Sequence, residues 1–204
     1  MSEHIIHALV LLQNWGDGTD LLKMLVHNNH VISLFHIMGR HSYLMDTNFD
    51  SKEQLSRWIE HMKSAKLPSG LPAIQAMQTQ RIIDVQKQKE GFSLRNYMEM
   101  KEKFHFFMKI DNPHHDDGLL SVLQKSAIVQ SVLHVQGENS FTIEVITGNY
   151  DEYRKLLSEM KTLNTIHHIE TQEVISVLKY RNQIFDEKNN LLTPETDIRE
   201  LYSL

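Results

Sequence analysis

Apolar and polar residues alternate along the chain in a pattern that occurs twice. Each copy opens with a strand (HIIHALVLL from residue 4; KFHFFMKI from residue 103), followed by a polar turn and a helix with leucines at helical spacing. A β-branched run, a glycine turn and a second run then indicate a hairpin. A second amphipathic helix and a closing strand complete the order β-α-β-β-α-β. This order predicts a ferredoxin-like α+β fold, an antiparallel sheet with both helices on one face.

The two copies also match residue by residue. Residues 5–64 align with 103–162 at twelve identities, where chance supplies roughly three or four. After a six-residue insertion in the first copy, residues 74–87 match 166–179. We therefore predict two tandem ferredoxin-like domains at residues 1–88 and 103–180, a connector at 89–102, and a tail at 181–204 with a helix start at Thr193-Pro194-Glu195.

Composition narrows the classes of function. The chain is 41% apolar and 23% charged, and its lack of cysteine excludes disulfides and thiol nucleophiles. The net charge is −5 with 21 scattered Lys and Arg residues, whereas duplex binding needs a concentrated basic surface. The apolar run near the start is too short for a signal peptide or a membrane span. We expect a cytoplasmic protein that binds neither nucleic acid nor membrane.

Period-two alternation assigns each strand residue to a face of its sheet. It places Phe104, Phe106, Met108 and Ile110 under the helices, as it does Val129, Leu133 and Val135 of the next strand. The helix-free face would then carry His7, His36, Asp46 and Gln80, with their counterparts His105, His134, Glu144 and Gln172, and also Gln130, Val132 and Gln136. Because such a face also carries apolar residues, another surface should cover it. We expect the two sheets to pack face to face as an internal pseudo-dimer, or against a second chain.

The repeated histidines and carboxylates suggest a metal site, but the hairpin geometry argues against one. A turn at Gly39 places His36 across from Ser42 and Asp46 across from Ile32, about 13 Å apart along the ladder. Two local hydrogen-bonded pairs, His7 with Asp46 and His36 with Ser42, are the preferred interpretation. The segment NPHHDDG at residues 112–118 is interpreted as a solvated loop with Asp116 and Asp117 at a helix start. No metal and no cofactor are predicted.

The hairpins (GRHSYLMD, GENSFTIE) and the last strands (MQTQRIIDV, IETQEVISV) resemble the effector-binding domain of the Lrp/AsnC transcription regulators. The resemblance covers about 80 residues of each copy. It implies a domain that oligomerises through its sheets and senses small molecules, often amino acids, near the hairpin glycine and last strand. The family commonly has Asp where Ser42 and Ser140 stand here. Because Met1 adjoins the first strand, we expect no helix-turn-helix.

These observations predict a non-catalytic protein that senses a small-molecule effector or assembles with copies of itself in transcription regulation. The sequence contains no GxGxxG, Walker, GxSxG or HExxH motif. The alternative is a haem- or tetrapyrrole-handling protein of the dimeric α+β barrel type, where facing ferredoxin-like sheets also occur. The candidate ligand-binding residues are Gly39, His41, Ser42, Thr79, Gly137, Ser140, Thr171, His7, His36, His105 and His134.

Overall fold

The computed structural model describes residues 5–15, 19–89, 94–113 and 117–185. These residues adopt an α+β fold, as predicted, and the order β-α-β-β-α-β occurs twice. The first set is β1 (Ile6–Asn14), α1 (Thr19–Val26), β2 (Val31–Met38), β3 (Tyr43–Phe49), α2 (Lys52–Lys63) and β4 (Ile74–Gln88). After α3 (Leu94–Glu99), the second set is β5 (Phe104–Asp111), α4 (Asp117–Lys125), β6 (Val129–Gln136), β7 (Phe141–Thr147), α5 (Tyr150–Lys161) and β8 (His168–Tyr180), with a short β9 (Gln183–Ile184) behind it.

The chain forms two compact units, and each unit takes in the end of a strand from the other sequence copy. Unit 1 comprises the residues up to Thr79 together with those from Ile175 onward, and unit 2 comprises Gln80–Val174. The long strands β4 and β8 therefore contribute to both units. The predicted boundaries at 88 and 103 mark the ends of the sequence copies, and they do not coincide with the boundaries of the compact units. They stay a prediction, as do the duplication itself and face-to-face packing of the sheets.

In unit 1, β3 lies between β1 and β2 and pairs antiparallel with both. The start of β4 lies beside the end of β1, where Trp15 N donates to Ala73 O (3.0 Å). The residues after β8 return to β2, where Asn182 N donates to Ile32 O (2.9 Å). One face of this sheet packs on α1 and α2 through a core that includes Leu25, Trp58 and Met62, with Leu178 of β8 as part of it.

In unit 2, the order of strands is β4, β6, β7, β5 and β8, all paired antiparallel. Helices α4 and α5 cover one face through a core that includes Leu119, Leu123, Leu156 and Met160. The predicted apolar faces of the helices are thus confirmed in both copies. Asp117 begins α4, which confirms its predicted place at a helix start. Residues 114–116 and 193–195 lie outside the described residues.

The register of both hairpins differs by one residue from the prediction. His36 lies opposite Tyr43 rather than Ser42, and Asp46 lies opposite Ser33 rather than Ile32. Both hairpins keep this shifted register from the turn out to Ser33 and Ser131, where a β-bulge follows, between Val31 and Ser33 in β2 and between Val129 and Ser131 in β6. An extra residue in one strand moves every later side chain to the other face.

The faces predicted for β6 after the bulge were therefore wrong. Val132 lies opposite Ile143 in the helix-side core, and His134 lies opposite Phe141. Leu133, predicted under the helices, lies opposite Thr142 on the helix-free face, and Val135 follows it two residues later. His36 and His134 consequently face the helices, not the helix-free side.

Two lysines at matched positions of the repeat, Lys87 and Lys179, stabilise the strand ends that complete each unit. In unit 2, Lys87 Nζ donates to the carbonyls of Leu123 and Gln124 (both 3.1 Å) and of Ser126 (2.7 Å), at the end of α4. In unit 1, Lys179 Nζ donates to Asn28 O (3.1 Å), just beyond the end of α1. A cation at a helix C-terminus complements unpaired carbonyls and the helix dipole. Burial lowers the pKa of both ammonium groups.

Replacing Lys87 by methionine is expected to lower the free energy of unfolding by about 1–2 kcal/mol, because three carbonyls lose a charged donor. Lys89 supplies the matched control, since among the described residues its exposed ammonium donates to a single carbonyl, Ala127 O (3.1 Å). Lys89→Met is expected to cost less than about 0.5 kcal/mol. Urea denaturation of both variants checks this, and equal losses would contradict the assigned role of Lys87.

None of the helices in the described part of the chain has the length and hydrophobicity needed to span a bilayer.

Candidate functional site

Each unit has a helix-free face, formed by the sheet residues that point away from the helix-side core. In unit 1 the strand registers place eight residues there: His7, Leu9, Leu11, Ser33, Phe35, Leu44, Asp46 and Asn48. In unit 2 they place the matched residues His105, Phe107, Lys109, Ser131, Leu133, Thr142, Glu144 and Ile146 there, together with Glu170 and Gln172 of β8.

The middle of the face in unit 1 is apolar. Leu9, Leu11, Phe35 and Leu44 are each at most 3% exposed, although none belongs to the helix-side core. The polar residues of this face are at its margin, where His7 Nε2 is hydrogen-bonded to Asp46 Oδ1. This pair confirms the prediction that His7 and Asp46 are local partners. The centre of the face in unit 1 is therefore hydrophobic and buried.

The middle of the face in unit 2 is polar instead. Lys109 stands where unit 1 has Leu11, and Thr142 stands where it has Leu44. Lys109 is 3% exposed and Thr142 is 1% exposed. A lysine is almost never this deeply buried unless it is paired. The contrast between the two copies identifies the face in unit 2 as the candidate functional site.

The buried cation of unit 2 is paired with the carboxylate of Glu170. Lys109 Nζ lies 2.7 Å from Glu170 Oε2, and Gln172 Nε2 donates to Glu170 Oε1 (3.2 Å). The Glu170 side chain retains 27% of its exposure, so that one end of the pair is close to water. The ion pair thus joins a buried cation to a carboxylate that can reach solvent.

A second polar pair lies beside Lys109. Thr142, directly opposite Lys109 in the register, donates its hydroxyl to Gln80 Oε1 (2.8 Å). Gln80 is fully buried, and its Nε2 has no hydrogen-bond acceptor among the described residues. A buried donor without an acceptor costs about 1–3 kcal/mol. The site therefore contains an amide donor that a bound ligand can satisfy.

At the margin of this face, His105 joins a tyrosine to a carboxylate. His105 Nε2 is 2.8 Å from Glu144 Oε1, and its Nδ1 is 3.2 Å from the hydroxyl of Tyr97 in α3. An ionised Glu144 accepts from Nε2–H, so Nδ1 is left to accept the Tyr97 proton. The counterpart in unit 1, His7 with Asp46, is more exposed, at 37% and 29% for the two side chains against 2% and 17% here.

Burial and the nearby Glu144 raise the pKa of Tyr97 to about 12. We predict that the phenolate absorbance of wild type minus that of Tyr97→Phe titrates with a midpoint of about 12, not 10. Because the folded pKa is raised, the corresponding stability is complete below pH 10 and is lost as the pH rises toward 12. A difference titration centred near 10 would show that Tyr97 is exposed to water.

The other residues predicted to bind a ligand are distributed over several environments. His36 and His134 contact Tyr43 and Phe141, with ring centroids 5.5 and 5.3 Å apart, so their predicted place on the helix-free face was wrong. Thr171 shares a hydrogen bond with the Tyr153 hydroxyl of α5 (3.1 Å).

The predicted residues near the two hairpin turns remain untested as ligand contacts. Ser140 Oγ accepts from Asn112 N (3.1 Å). Gly39 has a φ of 148°, a conformation that favours glycine. His41 is buried, Ser42 and Thr79 are half-buried, and Gly137 is exposed. Ligand binding by this set and by Thr171 stays a prediction.

No group of three or more histidine and carboxylate residues that could hold a metal ion occurs within the described ranges.

Comparison with protein-family models and with curated protein sequences gives no match. Among solved structures, the siroheme decarboxylase NirDL is similar with a TM-score of 0.62 at 8% identity, over 90% of this chain and 76% of that one. A putative monooxygenase from Fusobacterium nucleatum subsp. nucleatum has a TM-score of 0.52 at 15% identity, over 94% and 99% of the two chains. A mutant chlorite dismutase from Candidatus Nitrospira defluvii has a TM-score of 0.52 at 10% identity, over 85% and 92%. At these identities the likeness shows a shared fold.

The resemblance to Lrp/AsnC effector domains was wrong, and with it the predicted role in transcription regulation. The similar solved structures are a siroheme decarboxylase, a chlorite dismutase and a putative monooxygenase. The order β-α-β-β-α-β and a hairpin glycine followed by serine describe strand and turn geometry. Because unrelated proteins share that geometry, these features did not identify a family.

Sequence analysis did not identify Lys109, Glu170 or Thr142 as site residues. A signal was available in the alignment of the two copies, where a lysine replaces Leu11 in a strand whose neighbours are apolar. Tyr97 lies in the connector, outside both copies of the repeat, so the alignment could not have found it.

Proposed function

We propose that the chain is a tetrapyrrole-handling protein that binds its ligand on the helix-free face of unit 2. The observation that carries the proposal is the buried Lys109, which stands among polar groups where the matched face of unit 1 is apolar. The shared fold with a siroheme decarboxylase, over 90% of this chain, supports the ligand class.

The chemistry of this face suits a tetrapyrrole. Such a ligand has a wide apolar ring with carboxylate side chains at its edge, so its site needs apolar contact area and a few placed donors. Phe107 and Leu133 lie on the same face as Lys109 and Thr142. Phe107 is 5% exposed, so contact with the ring requires the side chains of this face to move apart as the ligand enters. The ammonium of Lys109 and the amide of Gln80 can meet a carboxylate, the charge-assisted interaction that proteins use for such groups.

Haem iron does not fit the histidine of this face. Both ring nitrogens of His105 already have partners, Tyr97 and Glu144, so coordination would break one of two buried hydrogen bonds. His7, in the other unit, keeps Nε2 on Asp46 and is 37% exposed. The proposal therefore concerns recognition of the tetrapyrrole ring and its carboxylates, and no step is assigned to iron. Assembly into a homo-oligomer, expected from the sequence, stays part of the proposal.

Titration with metal-free coproporphyrin, which carries four carboxylates, tests the proposed function. We expect a saturable shift of the porphyrin absorption band at one porphyrin per chain. The thermally unfolded chain is the control for unspecific adsorption. A spectrum that does not change with added folded protein, or changes equally with unfolded protein, would contradict tetrapyrrole binding.

A further inference from the structure

Resting on this proposed function, we infer that Lys109 and Gln80 form a carboxylate subsite in which Glu170 pairs with Lys109 until a ligand carboxylate replaces it. A ligand carboxylate displaces Glu170 from Lys109, and this exchange makes binding independent of any metal in the tetrapyrrole. The ligand class is thus a tetrapyrrole with a free carboxylate, with or without iron.

The exposures of the two partners favour such an exchange. Lys109 is fixed at 3% exposure, whereas the side chain of Glu170 keeps 27%. A buried ammonium that has lost its anion is strongly destabilising. If a ligand carboxylate takes this place, the charge of Lys109 stays balanced, and Glu170 can rotate toward water instead of being buried without a partner.

Gln80 supplies the second donor of the subsite. Its Oε1 accepts the Thr142 hydroxyl at 2.8 Å, which fixes the orientation of the amide. Its Nε2 is left buried without an acceptor among the described residues. Because Thr142 lies opposite Lys109 in the register and donates to Gln80, the Gln80 amide and the Lys109 side chain both adjoin Thr142. A carboxylate has two oxygens and can accept from both.

The first copy of the repeat shows what this face looks like without a subsite. The positions of Lys109 and Thr142 are taken there by Leu11 and Leu44, and the position of Glu170 is taken by Gln78. A leucine cannot attract an anion, and a glutamine has no charge to balance. Among the described residues the subsite is therefore confined to unit 2, and the matched residues of the first copy give the substitutions that remove it.

The decisive experiment compares three ligands on the wild-type chain by absorbance and fluorescence titration: haem, metal-free protoporphyrin IX and protoporphyrin dimethyl ester. The first two differ only in iron, and the last two differ only in the charge of the carboxylates. We expect haem and free protoporphyrin to bind with dissociation constants within about threefold of each other. The ester is expected to bind about tenfold or more weakly, the loss of one charge-assisted contact.

Two variants test the residues. Lys109→Leu combined with Glu170→Gln is expected to weaken protoporphyrin binding about tenfold while leaving the ester unchanged. Glu170→Gln alone removes the competing carboxylate and is expected to strengthen protoporphyrin binding several-fold, an effect that a merely structural Glu170 would not produce. Lys155→Leu, at a surface lysine of α5, is the control for lost charge.

The outcomes separate this inference from the proposed function. Haem binding more than about tenfold tighter than free protoporphyrin would overturn the inference in favour of coordination by a histidine. An ester that binds as tightly as the free acid would overturn the carboxylate subsite and leave tetrapyrrole binding intact. If none of the three ligands binds the wild-type chain, both proposals are overturned.

Discussion

Replacing Glu170 by glutamine is expected to lower the free energy of unfolding by about 3 kcal/mol. The variant keeps the shape of the side chain but removes the Glu170 carboxylate from the Lys109 ammonium, which is 3% exposed. Removal of one partner from a buried ion pair is more costly than the pair itself is stabilising, because the remaining charge is desolvated and has lost its counter-ion.

The double variant Lys109→Leu, Glu170→Gln is the matched control, since it reproduces Leu11 and Gln78 of the first copy. It is expected to regain most of the stability lost in Glu170→Gln, because neither charge remains. Urea denaturation with a common slope measures both variants. If Glu170→Gln costs less than about 0.5 kcal/mol, Lys109 is solvated and the buried subsite does not exist.

Replacing His105 by leucine is expected to cost about 2–3 kcal/mol, the second largest effect. The substitution leaves the Tyr97 hydroxyl and the Glu144 carboxylate without the imidazole that joins them, in a site where His105 is 2% exposed. The same substitution at His7, which is 37% exposed and hydrogen-bonded to Asp46, is expected to cost less than about 1 kcal/mol.

Thermal or urea unfolding of the two histidine variants measures the expected difference in stability loss between these matched positions. A lost hydrogen bond also changes the Tyr97 titration, so His105→Leu is expected to shift the phenolate midpoint while His7→Leu does not. Equal stability losses would mean that the two histidines have the same environment, which would contradict the difference in their burial.

The sequence predicted the faces of β5 correctly and those of β6 incorrectly, and the difference has a local cause. Strand β5 is regular, so alternation placed His105 and Phe107 on the helix-free face, where the register has them. Strand β6 contains a bulge between Val129 and Ser131. No residue type in that segment indicates a bulge. Because the strand continues beyond the extra residue, alternation of apolar and polar residues alone cannot reveal it.

The candidate site was only partly predictable for a different reason. His105 and Glu144 emerged from the repeat because both copies keep a histidine and a carboxylate at matched positions. Lys109 and Glu170 have no such counterpart, and they are 61 residues apart along the chain (170 − 109). Their pairing depends on the register between β5 and β8, which turn lengths and local propensities do not determine.

The central claim, that a tetrapyrrole binds the helix-free face of unit 2, is tested most directly by hydrogen–deuterium exchange with and without metal-free coproporphyrin. We predict slower exchange on binding in β5 (Phe104–Asp111) and β7 (Phe141–Thr147), where Lys109 and Thr142 lie. The matched strands β1 and β3 of unit 1, which carry Leu11 and Leu44, should change less. Protection confined to β1 and β3, or to the surface of α4 and α5, would contradict the account.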